Sequence, residues 1–190
     1  MRRIVLYMQQ TLDGQGADPA NTMEWANVTQ QTWDFVDELT ATCDATVIGR
    51  GLYEEFLGVW PAAATSDAAS PGMRKLARWL RDADKHVLTR TLDAPDPVWP
   101  NTTFVRDLEE LRALRDAPGQ DLFVAGGIGI ANALARAGLL DELWLHVNPE
   151  VIGAGRPLLS EPLGLRLLEA RPLESGVVVL HYAVEHEEAR

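Results

Sequence analysis

Apolar positions in this chain come in short runs of two kinds, separated by polar stretches rich in turn formers. Residues 3–9, 45–49, 86–89, 122–125 and 142–147 are compact runs bounded by Gly, Asp, Asn or Thr, the mark of buried strands. Between them, apolar residues recur at helical spacing. Trp33, Val36 and Leu39 set one face of a helix over 28–42, and further helices are expected over 52–57, 72–81, 107–115 and 128–137. The boundary chemistry agrees. Ser70 precedes Pro71 as an N-cap before an N1 proline, Asp107 with Glu110 reads as a capping pair, and Gly138 suits a left-handed helix stop. Two last strands, 165–169 and 177–184, flank a turn at Glu174-Ser175-Gly176. Residues 11–24 form a loop long for a compact domain, and a second loop of Pro, Ala and Ser ends at Ser70.

Strands alternating with helices imply an α/β fold, a mixed and mostly parallel central sheet with helices on both faces. The closing pair of strands adds an antiparallel edge. The 190 residues suit a single domain over residues 1–190. The apolar start at residues 4–8 follows two arginines, but it stops at Gln9-Gln10 with no small-residue cleavage site and reads as a first strand. No apolar run approaches a membrane span. The lone Cys43 allows no internal disulfide, so a reducing cytoplasm is the expected location and a buried thiol the expected role. A net charge of -11 argues against a nucleic-acid partner. It also gives weight to any arginine placed where a ligand can reach it.

Three strand ends carry such chemistry. Residues 122–125 run into Gly126-Gly127-Ile128-Gly129 and then a helix. Glycine lets a ligand approach the backbone, and a helix N-terminus offers free N–H groups with the positive dipole end. Such a turn suits a pyrophosphate, and equally suits tight strand-to-helix packing. It is not the dinucleotide fingerprint, because position 131 is Ala. Residues 46–48 run into Gly49-Arg50, where the arginine either binds phosphate or pairs with Glu54. Residues 87–88 run into Thr89-Arg90-Thr91. In a parallel sheet these ends share one edge, where ligands of open α/β sheets bind. Arg50 and Arg90 together suit a doubly charged phosphate, which favours NADPH over NADH.

The order of these segments resembles the dihydrofolate reductase-like superfamily over nearly the whole chain. Thr11-Leu12-Asp13-Gly14, then 139–149 (Leu-Leu-Asp-Glu-Leu-Trp-Leu-His-Val-Asn-Pro), then 151–158 (Val-Ile-Gly-Ala-Gly-Arg-Pro-Leu), resemble the riboflavin-biosynthesis reductase domain, here in stand-alone form. The resemblance implies a dihydrofolate reductase-like three-layer fold. It implies NADPH phosphates at Gly49, Arg50, Thr89, Arg90, Gly126, Gly127, Ile128 and Gly129, with nicotinamide near Asp13 and Gly14. Substrate would lie between that loop and the first helix, touching Thr11, Trp25, Gln30 and Tyr53. Asp13 and Asp34 are the candidate proton sources, with a turn-capping role for Asp13 as the competing expectation. The resemblance also implies a homodimer built partly from the late strands 143–147 and 177–182.

The implied reaction is hydride transfer to a small pterin- or ribosylaminopyrimidine-like heterocycle, as in reduction of 5-amino-6-(5-phosphoribosylamino)uracil. Two alternatives stand beside it: a true dihydrofolate reductase, and a non-catalytic NADPH- or antifolate-binding protein. Dihydrofolate reductases carry a carboxylate early in the first helix. The corresponding position falls near Gln30, which cannot hold the charge that favours ring protonation. The zinc deaminase half of bifunctional riboflavin-pathway enzymes is missing, since one cysteine cannot make its ligand set. The four histidines form no recognisable ligand pair, so no metal is expected.

Overall fold

A computed structural model describes residues 1–186. Its central sheet has eight strands: β1 (Ile4–Thr11), β3 (Cys43–Gly49), β4 (Asp84–Leu88), β5 (Thr102–Val105), β6 (Asp121–Val124), β7 (Glu142–Asn148), β9 (Gly164–Pro172) and β10 (Val178–Glu185). Their order is β5-β4-β3-β6-β1-β7-β10-β9. The first six are mutually parallel, while β10 pairs antiparallel with both β7 and β9. This is the mixed sheet with an antiparallel edge that the strand pattern implied. Two further strands, β2 (Gln15–Ala17) and β8 (Arg156–Pro157), form a separate antiparallel clip.

Alternation along the strands divides the core in two. Leu6 and Met8 of β1 face one side with Val47, Val124, Leu143 and Leu145, and that side is covered by α5 (Leu108–Asp116) and α6 (Ile128–Arg136). Val5 faces the other side with Ile48, Phe123 and Val179. There α1 (Gln30–Thr40) contributes Phe35, Val36 and Leu39, and α4 (Pro71–Asp82) contributes Leu76 and Leu80. Burial on both faces explains the near-continuous apolar runs of the inner strands. Cys43 is buried against the Leu39 carbonyl, and desolvation pushes its thiol up to about 11, well away from nucleophile chemistry.

Several elements depart from the sequence expectation. α2 (Arg50–Leu57) starts two residues earlier than its apolar periodicity suggests, so Arg50 is a helical residue. A short α3 (Trp60–Ala63) occupies part of the Pro/Ala/Ser loop. β5 is a four-residue edge strand with only Phe104 and Val105 as apolar signal, too little alternation to register as a strand. The late strands 143–147 and 177–182 are interior, each paired on both sides, and the unpaired edge on their side of the sheet belongs to β9. No helix among the described residues is long and apolar enough to cross a membrane.

Candidate functional site

Because β1, β3, β4 and β6 are parallel, their C-terminal ends meet at one edge. There β3 feeds α2 through Gly49 and β6 feeds α6 through Gly126 and Gly127. Neither helix has a side-chain cap. The contrast with α4 and α5 is direct: Ser70 Oγ accepts the Met73 amide, and Asp107 accepts the amides of Glu109 and Glu110. The first-turn N–H groups of α2 and α6 are therefore left for a ligand or water. Both ends line one cleft of about 510 Å³, with Gly49, Arg50, Gly51 and Leu52 on one wall and Gly127, Ile128, Gly129 and Ile130 on the other.

The glycines divide by task. Gly126 and Gly127 have φ of +113° and +94°, a region that side chains rarely adopt. A Cβ on Gly126 would also stand 3.2 Å from the Met8 sulfur, so this glycine is required by the turn itself. Gly129 is different. A Cβ there would meet nothing within 4 Å, so its bareness keeps the cleft open rather than satisfying packing.

Arg50 sits at the cleft wall, half exposed, with a loose 3.4 Å contact to Glu54. The Glu54 pair is the one observed, and so weak a surface pair would yield readily to an anion. Arg90 is exposed and makes no ion pair among the described residues. It lines a neighbouring cleft of about 520 Å³ with Thr89, Arg106 and Arg136, and the two clefts share Leu88 and Ala133. Arg50 and Arg90 accordingly line adjoining sections of one groove and not a single pocket. Thr89 is buried, and its hydroxyl accepts the amides of Thr91 and Leu92, shaping the turn that presents Arg90. Arg106 was not legible as a site residue because it follows β5, the strand the sequence did not reveal. Its guanidinium donates to the carbonyls of Thr89 (3.3 Å) and Leu92 (2.7 Å).

The loop at 11–24 is fastened along its first half. Thr11 is fully buried, and its hydroxyl donates to Asp13 and accepts the Gln15 amide. Asp13 is exposed and lies outside the cleft lining. It accepts the Gly153 amide at 2.8 Å and the Ile152 amide at 3.4 Å. The Thr11 hydroxyl and then these amides hold its carboxyl below the ordinary aspartate value. These bonds are those of the turn-capping residue in the competing expectation, extended to a clip with residues 152 and 153. Gly14 has φ +80° and its carbonyl accepts the Leu158 amide. Gly16 and Ala17 are buried in the clip, leaving residues 18–24 as the only part free to act as a lid.

The expected substrate contacts scatter. Tyr53 is buried between Trp99 and Phe104, with its hydroxyl accepting the Asp96 amide, so it belongs to the core. Gln30 and Asp34 are exposed on α1, the Gln30 amide donating to the Asp34 carboxylate at 2.8 Å. Neither of them lines the cleft. Trp25 is half-buried, and its indole N–H has no hydrogen-bond partner among the described residues. A polar strip unforeseen in the sequence runs along the α1 face of β1 and β7. Tyr7 Oη lies 3.3 Å from His146 Nδ1, and the Asn148 amide donates to Gln9 and to the Gln10 carbonyl. Burial lowers His146 to about 4 and raises Tyr7, so both are neutral near pH 7.

Sheet order, antiparallel edge and glycine-lined groove together define a dihydrofolate reductase-like α/β protein. Within that class the chain belongs to the RibD C-terminal domain family, whose model matches residues 2–179. It is 27% identical over 186 residues to the uncharacterized protein YyaP of Bacillus subtilis, covering 95% of this chain and 94% of that one. A crystal structure from Shewanella sp. PV-4, assigned by name to riboflavin biosynthesis, superposes with TM-score 0.71 at 22% identity over 97% of this chain and 99% of its own. Dihydrofolate reductase from Enterococcus faecalis, complexed with NADP(H), gives TM-score 0.66 at 15% identity over 97% of both chains. At these identities the two structures carry the fold and not the substrate.

Proposed function

We propose that this protein is an NADPH-dependent reductase that delivers hydride to a C=N or C=O bond of a small, uncharged heterocycle. One observation carries the reading: two helix N-termini without side-chain caps line a single cleft that adjoins an arginine-lined one. Amide donors and dipole ends suit a diphosphate. Gly49, Arg50, Ile128 and Gly129 would hold it. Thr89, Arg90, Arg106 and Arg136 would hold the adenosine end with its extra 2′-phosphate. When bound, NADPH supplies the hydride, and the chain needs only to bind, orient and exclude water. Met8 and Met23 also line the cleft and would supply apolar surface for flat rings.

Near the position of α1 where dihydrofolate reductases carry a carboxylate, this chain has the uncharged Gln30, whose amide donates to Asp34 one turn on. That favours a ribosylaminopyrimidine-like ring over a pteridine that must be protonated on binding. The decisive experiment is titration of NADPH fluorescence, followed by turnover with ribosylaminopyrimidine, pteridine and flavin substrates. Binding with oxidation of the first class is the expected result. Binding without oxidation across the panel would convert the reading to a nucleotide-binding protein, and failure to bind NADPH would sink it.

A further inference from the structure

We infer that Arg156 is a further binding residue for the dinucleotide diphosphate, carried to the cleft by the β2–β8 clip; this rests on the NADPH reading above. Arg156 lines the same cleft as the first turns of α2 and α6. It is exposed and makes no ion pair among the described residues, although the chain has 28 carboxylate residues against 17 lysines and arginines. The partner of its guanidinium is the neutral side chain of Asn21. Asn21 itself has φ +63° and closes a turn in which Asp18 accepts the Thr22 amide. A cation held by a neutral group at the mouth of an anion-binding cleft is one that an anion can readily claim, because no charge pair has to be broken first.

The mounting of Arg156 supports a binding role over that of a free surface arginine. Its neighbour Gly155 packs so closely on β2 that a Cβ would stand 2.3 Å from the Ala17 carbonyl oxygen. On the other side of the clip, Gly16 abuts Ile128, the first residue of α6, where a Cβ would lie 3.2 Å from the isoleucine side chain. Asn132 of α6 donates to the Leu158 carbonyl at 2.9 Å. The strand bearing Arg156 is thus braced on the helix whose N-terminus faces the cleft. A helix end contributes only about half an elementary charge. Two such ends fall short of a diphosphate, and Arg50 is shared with Glu54, so a guanidinium with no carboxylate partner among the described residues adds charge that neither supplies. The bond to Asn21 then acts as the resting latch, exchanged for phosphate oxygens when the dinucleotide enters.

Calorimetric titration of the full chain with two ligands tests this. NADPH carries the diphosphate, whereas adenosine 2′-monophosphate carries the adenosine end without it. Arg156→Ala should weaken NADPH about tenfold, the scale of one charge-assisted hydrogen bond, and leave adenosine 2′-monophosphate unchanged. Its affinity for NADPH should also fall less steeply with added salt, and Arg156→Lys should recover part of the loss. Arg90→Ala should weaken both ligands. Asn21→Gly, which removes the latch side chain and tolerates φ +63°, should bind NADPH at least as tightly as the natural chain. The inference is overturned if Arg156→Ala binds NADPH normally, or if it weakens both ligands alike, since that would report damage to the clip. If the natural chain binds adenosine 2′-monophosphate but not NADPH, or neither, the parent reading fails and not merely this residue's role.

Discussion

Asp13 and Gly153 are joined across 140 positions of chain, the Asp13 carboxylate accepting the Gly153 amide at 2.8 Å. With the Thr11 hydroxyl on the same carboxylate, this bond ties the start of the loop to the segment that leads into β8. Asp13 has its pKa lowered in the folded chain, so the stability it lends is present above the ordinary aspartate pKa and is lost as pH falls through the lowered value. The Gly153 amide proton should therefore titrate in NMR spectra with an apparent pKa below that of free aspartate, and Asp13→Asn should abolish that titration. Turnover in Asp13→Asn should stay near that of the natural chain. A large loss of turnover with intact NADPH binding would return Asp13 to the role of proton source.

Gly129 offers a clean probe of the cleft. At Gly127 a side chain would be strained by φ +94° whatever the ligand, so Gly127→Val would confound folding with binding. Gly129→Val puts its methyl groups into open space on the first turn of α6. The variant should fold with an unchanged circular dichroism spectrum and bind NADPH at least about tenfold more weakly, the outcome of obstructing charge-assisted bonds to one phosphate. Normal NADPH affinity in a folded Gly129→Val chain would move the diphosphate elsewhere.

Cofactor choice should reside at the β4 end of the groove. Arg90→Ala is expected to cost about tenfold in NADPH affinity and almost nothing in NADH affinity, because only the former carries the 2′-phosphate. Arg50→Ala should have a smaller effect, since Arg50 must first leave Glu54. Competition binding of the two nucleotides reads this directly. Equal affinity of the natural chain for both would remove the 2′-phosphate site.

His146 should make the fold acid-sensitive. It is fully buried, and desolvation lowers it from 6.5 to about 4. Between those values the unfolded chain binds a proton that the folded chain refuses, so stability falls as pH drops from about 6.5 to about 4. The difference amounts to roughly 3 kcal/mol at most. Urea midpoints measured across that window should decline, and His146→Gln should flatten the decline. An unchanged slope in the variant would assign the acid sensitivity to other groups.

Self-association is expected to use β9 and not the interior late strands. β9 pairs only with β10, and Leu165, Leu167 and Leu168 are 37%, 52% and 43% exposed along it. An unpaired edge with exposed leucines is a template for another copy. We propose a homodimer through this edge. The natural chain should sediment as a dimer at micromolar concentration, and Leu167→Asp should sediment as a monomer. A monomeric natural chain would refute the proposal.

The sequence by itself determined the order of the main strands and helices, with β5, α3 and the β2–β8 clip excepted, because burial on two faces leaves runs and periodicities that are read residue by residue. It also located Gly49-Arg50, Thr89-Arg90 and Gly126–Gly129 at strand ends, since parallel connection places such ends on one edge whatever the remaining detail. Gly126 and Gly127 were legible for a local reason: backbone strain confines such turns to glycine. What only the tertiary structure decided were relations between distant segments. Tyr53 looked available beside Arg50, yet it turns into an aromatic cluster assembled from residues about fifty positions away. Asp13 and Gly14 looked like part of a free loop, yet their partners are Ile152, Gly153 and Leu158, and local turn chemistry cannot reveal a clip made across the chain. Arg106 was hidden by the shortness of β5, whose strand character comes from hydrogen bonds to β4 and not from its own alternation. Arg156 stood in plain view within the Gly-Ala-Gly-Arg-Pro stretch, but its meaning depends on which cleft it borders, and packing of the clip against α6 settles that.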